Sequence, residues 1–479
     1  MNAIHIFTKS SSIATALLFA CSLAGCAKLA EVAPPVTSTS QSNVYTDDAT
    51  AASVLTGIYT QISQATFATG SLTSMSLFPG LSADELVPFT PTTNAWYIAY
   101  YTNALSNSNT LPADYWSAIY PTVFVANSAI QGLTASTSLT PAVKQQLMGE
   151  ALFIRAFCYF YLVNLYGDVP LATGTDYTVN ALLPRTPKAQ VWQQIIADLK
   201  QAQGFLSPVY VDATVVNATQ ERTRPMQAVA TALLARAYLY TADWPDAETQ
   251  ASAVINNTAL YSLSPIDTVF SKNSSEAIWQ LQPVNTGQNT QDGLLFTLPS
   301  SGPDNSDHPV YLSAFLLNAF EPQDQRRTNW IDSVIVGSTT YYYPYKYKVG
   351  IVGAPVTEYT MVLRLAEQYL IRAEARAEQG NIMGAQNDLD TIRNRAGLLP
   401  TQASTQTDLL TAILHERQAE LFTEWGHRWL DLKRTGSLDA VMKVVTPQKG
   451  GTWNTDWQWY PILLSELQHD PNLVQNPGY

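Results

Sequence analysis

The stretch GEALFIRAFCYFYLVNLYGDVPL, Gly149–Leu171, decides how the chain folds. Its apolar and aromatic residues continue a helical pattern that begins at Pro141 and predicts a long helix rich in aromatic side chains. Gly167 is typical of a helix exit, Asp168 favours a turn, and Pro170 prevents the helix from continuing. The segment therefore predicts a helix, a sharp stop and a turn.

Outward from this stretch, the pattern from Asp47 onward is mainly helical. Helices are predicted over residues 51–67, 114–133, 141–167, 188–206, 224–243, 244–257, 360–380, 381–397 and 407–436. Between Tyr261 and Thr360 the helical pattern fades, and Pro, Gly, Asn and Tyr surround strand-like pieces such as EAIWQLQ and TTYYYPYKYKV. The fold class is thus predicted to be dominated by α-helices, with a long, loop-rich insert that carries a few short strands. Because long loops are usually functional or disordered and aromatic residues argue against disorder, the insert is a candidate functional region.

A weak internal repeat relates two of the predicted helix pairs. Ala235 precedes Ala247 by twelve residues, and Ala373 precedes Ala385 by the same distance. A small residue on each helix of a pair allows the two helices to pack closely, as in tetratricopeptide-type repeats. Two ordinary helical hairpins with alanine at the contact are the alternative. The repeat implies a scaffold that binds another protein.

Composition excludes several classes of function. The 479 residues carry a formal net charge of -12, and only 13 % of them are charged, so the chain is a poor partner for nucleic acid or anionic lipid. The three cysteines, Cys21, Cys26 and Cys158, form no evident disulfide framework or metal cluster. No cofactor or metal is expected. A surface made largely of Ser, Thr, Asn, Gln and Tyr suits neutral ligands rich in hydroxyl groups.

Residues 1–25 are interpreted as an export signal. Lys9 supplies the positive charge, and Ile13–Ala24 forms an apolar segment that is too short to span a bilayer. The small residues before Cys26 predict cleavage by a lipoprotein signal peptidase and lipidation of Cys26, whose acyl chains would anchor the protein. An ordinary signal peptide is the alternative. Residues 26–46 have the composition of a flexible tether.

Gly149–Leu171 also resembles the SusD/RagB family, which comprises outer-membrane nutrient-binding lipoproteins of the Bacteroidetes. The resemblance extends through further segments in the same order, among them VWQQIIADLKQA, LDTIRNRAGL, ERQAELFTEWGHRWLDLKRTG and the closing YPILLSELQHDPNLVQNPGY. It implies a SusD-like α-α superhelix with tetratricopeptide-like helix pairs, forming a single domain over residues 47–479. Residues 47–260 would be its N-terminal part and residues 261–479 its C-terminal part.

The resemblance also implies a function. SusD-like proteins are non-catalytic binders that hand nutrient, usually a glycan, to a SusC-type TonB-dependent transporter. The resemblance therefore predicts a lipid-anchored protein of the outer membrane that faces the cell exterior. A RagB-like peptide binder with the same architecture is the alternative. An enzyme is disfavoured: HERQAE at His415 lacks the second histidine of the zinc-protease motif, and G-x-S-x-G is absent from the sequence.

Family motifs do not fix the ligand residues, so chemistry must select them. Aromatic rings pack against the C–H faces of sugars, and amide, carboxylate and guanidinium groups bond their hydroxyls. Two aromatic patches depart from the helical periodicity. The first, in NAWYIAYYTNALSN, gives the candidates Trp96, Tyr97, Tyr100, Tyr101 and Asn103. The second, in the insert, gives Tyr311, Asp324, Arg326, Arg327, Trp330, Tyr341, Tyr342 and Tyr343. Core packing is the alternative role for both.

The motif EWGHRWLDLKRTG near the C-terminus is interpreted as structural. Trp425, Trp429 and Leu432 recur at helical spacing and predict a stripe that faces the core. Arg428, Asp431 and Arg434 are then expected to form hydrogen bonds within the fold.

Overall fold

Helices dominate the part of the chain that the structure describes, which is residues 44–65, 74–90, 92, 94–107 and 115–479 of this computed structural model. The elements of the N-terminal half are α1 (Asp48–Ala65), α2 (Phe78–Ser82), β1 (Leu86–Pro88), α3 (Ala95–Tyr101), α4 (Tyr115–Ala135), α5 (Pro141–Tyr166), α6 (Tyr177–Asn180), α7 (Lys188–Phe205), α8 (Gln227–Tyr240) and α9 (Trp244–Ile255).

The C-terminal half mixes short strands with helices. Its elements are β2 (Ala277–Leu281), α10 (Gln291–Phe296), β3 (Val310–Leu312), α11 (Ala314–Leu317), α12 (Gln325–Asn329), β4 (Ile331–Val336), β5 (Thr339–Pro344), β6 (Thr360–Arg364), α13 (Leu365–Glu378), α14 (Ile382–Arg395), α15 (Gln406–Leu421), α16 (His427–Arg434), α17 (Leu438–Gln448) and α18 (Leu464–His469). Tyr45–Tyr479 form one compact unit.

Helix α5 is the central helix of the N-terminal half. It is long and apolar enough to span a membrane by length and composition, yet nearly all of its apolar window is buried inside the protein, where α4 and α7 pack against it. Buried charges on α5 are paired, as burial requires. Arg155 donates two hydrogen bonds of 2.7 Å to Asp198 on α7, and Arg224 lies 2.8 Å from Glu150. The thiol of Cys158 is buried, and burial raises its pKa.

The two predicted helix pairs are present, and they lie side by side. Helix α8 packs against α9, α13 packs against α14, and α9 in turn contacts α13. Ala235, Ala247, Ala373 and Ala385 are all fully buried, which confirms that small residues occupy the helix contacts. Helix α15 packs against the second pair, because its residues Leu409 and Ile413 belong to the same hydrophobic cluster as residues of α13 and α14. The predicted helix-pair architecture is therefore confirmed.

Three antiparallel pairs of strands lie within the described part of the chain: β1 with β3, β2 with β6, and β4 with β5. The sequence correctly predicted β2 and β5. It was wrong about residues 360–380, which were expected to be one helix. Thr360–Arg364 instead form β6, because they pair with the distant strand β2, and the helix begins only at Leu365.

The helix expected over residues 407–436 is broken into α15 and α16. Thr423, Trp425 and Gly426 adopt positive φ angles of 50°, 49° and 71°, which a continuous helix does not allow. The break directs the carboxylate of Glu424 to Arg364 and Lys346, at 2.8 Å and 2.5 Å. Helix α17 was not predicted at all.

Buried ion pairs hold the C-terminal half together. Glu420 is fully buried and accepts hydrogen bonds from Arg326, Arg364 and Arg395. Although burial opposes its ionisation, these three guanidinium groups hold the pKa of Glu420 well below its ordinary value. Breaking such a pair by removing one partner leaves a buried charge uncompensated, which costs about 3–5 kcal/mol.

The motif EWGHRWLDLKRTG has the structural role that was predicted. Trp425, Trp429 and Leu432 are buried, although Trp425 precedes the first residue of α16. Arg428 donates hydrogen bonds of 2.8 Å and 2.7 Å to Asp84. Asp431 accepts hydrogen bonds from both Arg417 and Arg434, at 2.7 Å each.

The predicted signal segment, Cys26 and most of the predicted tether lie in residues 1–43, outside the described residues. Their assignments remain predictions.

Candidate functional site

An aromatic platform forms where three distant strands meet. Strand β1 pairs with β3 so that Val87 lies opposite Tyr311. The ring of Tyr341 on β5 meets that of Tyr311 edge to face, with centroids 5.1 Å apart, and lies 6.3 Å from the ring of Phe89, which follows β1. The half-buried rings of Phe89, Tyr101, Tyr311 and Tyr341 are named the aromatic platform below.

Tyr101 is assigned to the platform because its phenol interacts electrostatically with that of Tyr311. Partial burial raises the pKa of Tyr101, and the neighbouring phenol of Tyr311 raises it further. The ammonium of Lys449 lies 5.1 Å from the centroid of the Tyr101 ring. Lys449 also donates to the carbonyl oxygens of Leu81, Ser82 and Ala83.

A shallow cavity of about 340 Å³ adjoins the platform, with walls from Thr92, Asn94, Trp96 and Asn305. Backbone hydrogen bonds join Phe89 to the two segments that line the cavity, the one with Thr92 and the one that follows Asn305. The carbonyl of Phe89 accepts a hydrogen bond of 2.9 Å from the N–H of Thr92, and its N–H donates over 2.8 Å to Pro309, which follows the turn that contains Asn305. Trp96 sits in the first turn of α3, where the side chain of Asn94 caps the helix by accepting from the Trp96 N–H at 3.0 Å.

The cavity is lined by neutral groups, and the nearest charges along the chain are acidic. Asp304 precedes Asn305, and its carboxylate accepts hydrogen bonds from the backbone N–H groups of Ser306, Asp307 and His308. Partial burial opposes ionisation of Asp304, but these donors outweigh it and hold its pKa below the ordinary value. The site therefore offers aromatic faces, an indole, amides and a hydroxyl, next to negative charge.

Such a set of groups suits binding rather than reaction. Ring faces bury C–H surface, and amides and hydroxyls donate to and accept from alcohol groups. Among the described residues, no group of three or more His, Cys, Asp or Glu could hold a metal ion.

Four of the predicted site residues lie at the platform or in the cavity wall: Tyr101, Tyr311 and Tyr341 belong to the platform, and Trp96 lines the cavity. It places Tyr97, Tyr100 and Asn103 in the interior instead. The ring of Tyr97 stacks on Phe78 at 5.8 Å, and that of Tyr100 lies 4.4 Å from the same ring. Tyr97 and Tyr100 lie on the inward face of α3, and Asn103 follows the helix.

Asn103 has a structural task at the end of α3. It adopts a positive φ of 54°, donates from Nδ2 to the Ser82 carbonyl at 2.9 Å, and accepts at Oδ1 from the Thr446 hydroxyl at 2.9 Å. Both ends of its amide are thereby engaged within the fold.

Trp330 is fully buried and lies in the core of the C-terminal half. Its indole N–H donates to the Ile266 carbonyl at 2.7 Å, and the ammonium of Lys346 lies 4.9 Å from its ring. Asp324 and Arg326 are buried as a pair with an N–O distance of 2.8 Å. These residues stabilise the fold and are not exposed to a surface ligand.

The other two tyrosines of the β5 run, Tyr342 and Tyr343, lie on opposite faces of the strand, because successive side chains alternate. The ring of Tyr342 lies 4.7 Å under the guanidinium of Arg327, away from the platform. Tyr343 is buried and donates from its hydroxyl to Asp332 at 3.0 Å. Only Tyr341 of the three contacts the platform rings that were identified above.

Sequence reasoning missed Phe89, Thr92, Asn94 and Asn305. The first three lie in the loop SADELVPFTPTTN, next to the predicted patch, so their proximity to Trp96 in the chain was an available signal. Asn305 had no such signal, because only the pairing of β1 with β3 brings its turn to Phe89.

Comparisons with known proteins identify the fold and the family. One family model, described as starch-binding and associating with the outer membrane, matches residues 46–239, and the model of the SusD family matches residues 326–479. The chain belongs to the SusD family. Its helix-dominated architecture agrees with this, since a SusD superfamily protein of Bacteroides vulgatus superimposes with a TM-score of 0.78 at 21 % identity, over 91 % of this chain and 100 % of that one.

Relatives of this SusD-like chain match different shares of its length. SusD-like protein P25 of Formosa agariphila is 26 % identical over 428 residues, which cover 77 % of this chain and 80 % of that protein. The starch-binding protein SusD of Bacteroides thetaiotaomicron is 33 % identical over 138 residues, or 26 % of this chain and 24 % of that one. The structure of a laminarin-binding SusD-like protein matches with a TM-score of 0.75 at 25 % identity, over 91 % of this chain and 100 % of that one.

Family membership also bears on catalysis. SusD-like proteins are carbohydrate-binding and non-catalytic, which confirms the prediction that this chain is not an enzyme.

Proposed function

We propose that this SusD-like protein captures glycan at the aromatic platform and the adjoining cavity. The observation that carries the proposal is the meeting of Tyr311, Tyr341 and Phe89 at the surface, beside a cavity whose walls bear Trp96 and two asparagines. The starch-binding and laminarin-binding relatives support it, since their names assign them carbohydrate ligands.

The geometry favours a saccharide over an apolar ligand of similar size. The platform rings are half-buried, so each presents part of a face or an edge without forming an enclosed apolar pocket. Aromatic contacts of this kind contribute about 0.5–1.5 kcal/mol beyond the burial of area. Asn94, Asn305 and Thr92 stand at the rim, where they can bond ring hydroxyls and penalise a ligand that lacks them.

Neutral glycans fit the site better than acidic ones. The cavity walls carry no charge, Asp304 precedes Asn305 and Asp307 follows it two positions later, and the whole chain has a formal net charge of -12. A carboxylated or sulfated sugar would lose solvation at the platform without gaining an ion pair there.

Capture without turnover is tested by isothermal titration of the mature protein with laminarin oligosaccharides, followed by chromatography of the recovered sugar. We expect saturable binding and unchanged oligosaccharide. Tight binding of peptides together with no binding of any glycan would overturn the proposal and support the RagB-like alternative. Release of shorter sugars would contradict a non-catalytic role.

We further propose that the captured glycan passes to a SusC-like TonB-dependent transporter in the outer membrane. The support is the family's association with the outer membrane and the predicted lipid attachment at Cys26. On this proposal residues 26–46 tether a single domain, residues 47–479, at the cell surface. Affinity purification from native membranes is expected to recover the transporter, whereas recovery of the SusD-like chain alone under mild detergent would contradict the assignment.

The anchor itself is tested by Cys26→Ser. Loss of the acylated thiol is expected to move the protein from the membrane fraction to the soluble fraction. A Cys21→Ser variant is the matched control, because Cys21 lies within the predicted signal and is removed with it. Unchanged membrane association of the Cys26→Ser variant would show that another attachment holds the protein.

A further inference from the structure

A second cleft lies away from the platform residues, between α4, the segment that leads into α6, and α18. Its volume is about 550 Å³, which is within the size range of small-molecule sites. Trp116, Tyr120 and Phe124 line one wall at successive intervals of four, which places them on a single face of α4. Tyr177 at the start of α6 provides another ring. Tyr177 and Phe124 are 78 % and 47 % exposed, so large ring surfaces face solvent at the cleft.

The walls of the cleft are held in place by contacts within the fold. Tyr120 donates from its hydroxyl to the Pro170 carbonyl at 2.8 Å, and Asn127 donates to the Ala172 carbonyl at 2.9 Å. The ring of Trp116 lies 4.9 Å from that of Tyr120 and 5.3 Å from that of Tyr166. The aromatic wall is therefore formed before any ligand binds, which lowers the entropic cost of binding.

The charged groups of the cleft are mainly acidic. Glu466 and Asp470 line it from α18 and its C-terminal end, and among the described lining residues there is no Lys or Arg. His469 is the one lining group of the described set that can become cationic.

The nearest arginine does not face a ligand. Arg185 lies near Tyr120, and its guanidinium donates to the carbonyls of Tyr166, Asp168 and Val474 and to the side chain of Asn476. These bonds direct its donors into the fold, so the acidic character of the cleft persists.

We propose that this cleft binds a compact ring-shaped ligand that carries a protonated amine, such as an amino sugar. A cation is attracted to aromatic faces and to carboxylates, and the cleft combines both around one space. A neutral sugar could stack on the same rings, but it would gain nothing from the two carboxylates beyond ordinary hydrogen bonds. The inference is independent of the proposed function, because it uses none of the platform residues.

The test is a titration of the mature protein at pH 6 with two ligands, the β-1,4-linked glucosamine tetramer and cellotetraose. The two share a backbone and differ by an amine in place of the hydroxyl at C2. We expect the amine-bearing tetramer to bind at least about tenfold more tightly, a difference that equals about 1.4 kcal/mol. Equal affinity for the two, or binding of neither, would overturn the proposal.

Substitutions locate the binding. Glu466→Gln is expected to reduce the preference for the amine to about threefold or less, and Phe124→Ala to weaken the binding of the amine-bearing tetramer about tenfold. Both side chains lie at the surface of the cleft, so folding is expected to persist, and circular dichroism checks it. Trp96→Ala is the control for location: a loss of amine binding in that variant, with none in Phe124→Ala, would assign the ligand to the platform and contradict the proposal.

A third substitution removes the competing positive charge. His469→Gln is expected to leave the amine-bearing tetramer bound as tightly as before or more tightly, since His469 is exposed at the cleft and repels a cation when protonated. A tenfold loss would show that the imidazole, and not the carboxylates, recognises the ligand.

Discussion

The ring of Tyr311 meets the ring of Tyr341 edge to face, with centroids 5.1 Å apart and planes inclined by 79°. Thirty residues separate the two in sequence, and neither lies on a helix. The contact joins β3 to β5, and through the pairing of β3 with β1 it brings Phe89 to the same surface. The platform thus depends on long-range strand contacts in a molecule that is otherwise built from helix pairs.

Trp96 is expected to provide much of the affinity for glycan. Trp96→Ala should weaken the binding of laminarin oligosaccharides by about tenfold, because the indole is the largest ring in the cavity and stacking contributes about 0.5–1.5 kcal/mol beyond burial. The measurement is isothermal titration, with the melting temperature as a control for folding. An unchanged dissociation constant would exclude Trp96 from the site.

The affinity of the protein for a glycan should depend on the charge of that glycan. Laminarin oligosaccharides are expected to bind at least tenfold more tightly than oligogalacturonates of equal length, because the cavity is neutral and its surroundings are acidic. The comparison is made at two salt concentrations, since screening reduces repulsion between charges. Tighter binding of the acidic oligomer at low salt would contradict a preference of the site for neutral glycans.

Trp330 should affect stability and not binding. Trp330→Ala is expected to lower the free energy of unfolding by about 3–5 kcal/mol, because it leaves a cavity in the core and an unpaired Ile266 carbonyl. Trp330→Phe should cost less and keep the affinity for laminarin oligosaccharides near that of the wild type. Denaturant unfolding and titration of both variants provide the check. A folded Trp330→Phe variant that no longer binds glycan would show that Trp330 contributes to the binding site.

The carboxyl of Asp292 should make stability depend on pH. Burial raises its pKa to about 7, although the hydroxyls of Ser76 and Ser74 donate to it and oppose the shift. The native state therefore holds this proton more tightly than the unfolded state, so the stabilisation is complete below about pH 4 and is lost as the pH rises through 7.

Asp292→Asn removes this titration. The difference in unfolding free energy between pH 5 and pH 8.5 is expected to shrink in the variant by on the order of 2 kcal/mol, since one pKa unit corresponds to about 1.4 kcal/mol. Chemical denaturation of both proteins at the two pH values measures it. An identical pH dependence in the two proteins would show that Asp292 titrates normally.

Much of the helical framework could be predicted because its determinants are local. The alanines at positions 235, 247, 373 and 385 recur at fixed offsets, and the helix pairs followed from them. The prediction failed where a distant partner decides the structure. Thr360–Arg364 have a helical pattern, yet they form a strand because they pair with β2. The helix predicted across Glu424 is broken, and the Glu424 carboxylate there accepts hydrogen bonds from the buried Arg364 and Lys346.

The candidate site was predictable only in part for the same reason. Composition identified both aromatic patches, but it could not tell which rings face outward. Tyr97 and Trp96 are neighbours, and only helix phase separates the buried ring from the half-buried one. Likewise, strand alternation divides Tyr341 from Tyr342, and no local signal predicted that Tyr341 would meet Tyr311.

Tyr341 and Tyr342 provide the most direct test of glycan capture at the aromatic platform. The dissociation constant for a laminarin oligosaccharide is measured for Tyr341→Ala and for the matched control Tyr342→Ala, which removes an equal ring that contacts Arg327 instead of the platform. We expect about a tenfold loss of affinity for Tyr341→Ala and a change of less than twofold for Tyr342→Ala. Equal affinity in the two variants, or a greater loss for Tyr342→Ala, would contradict glycan capture at the aromatic platform.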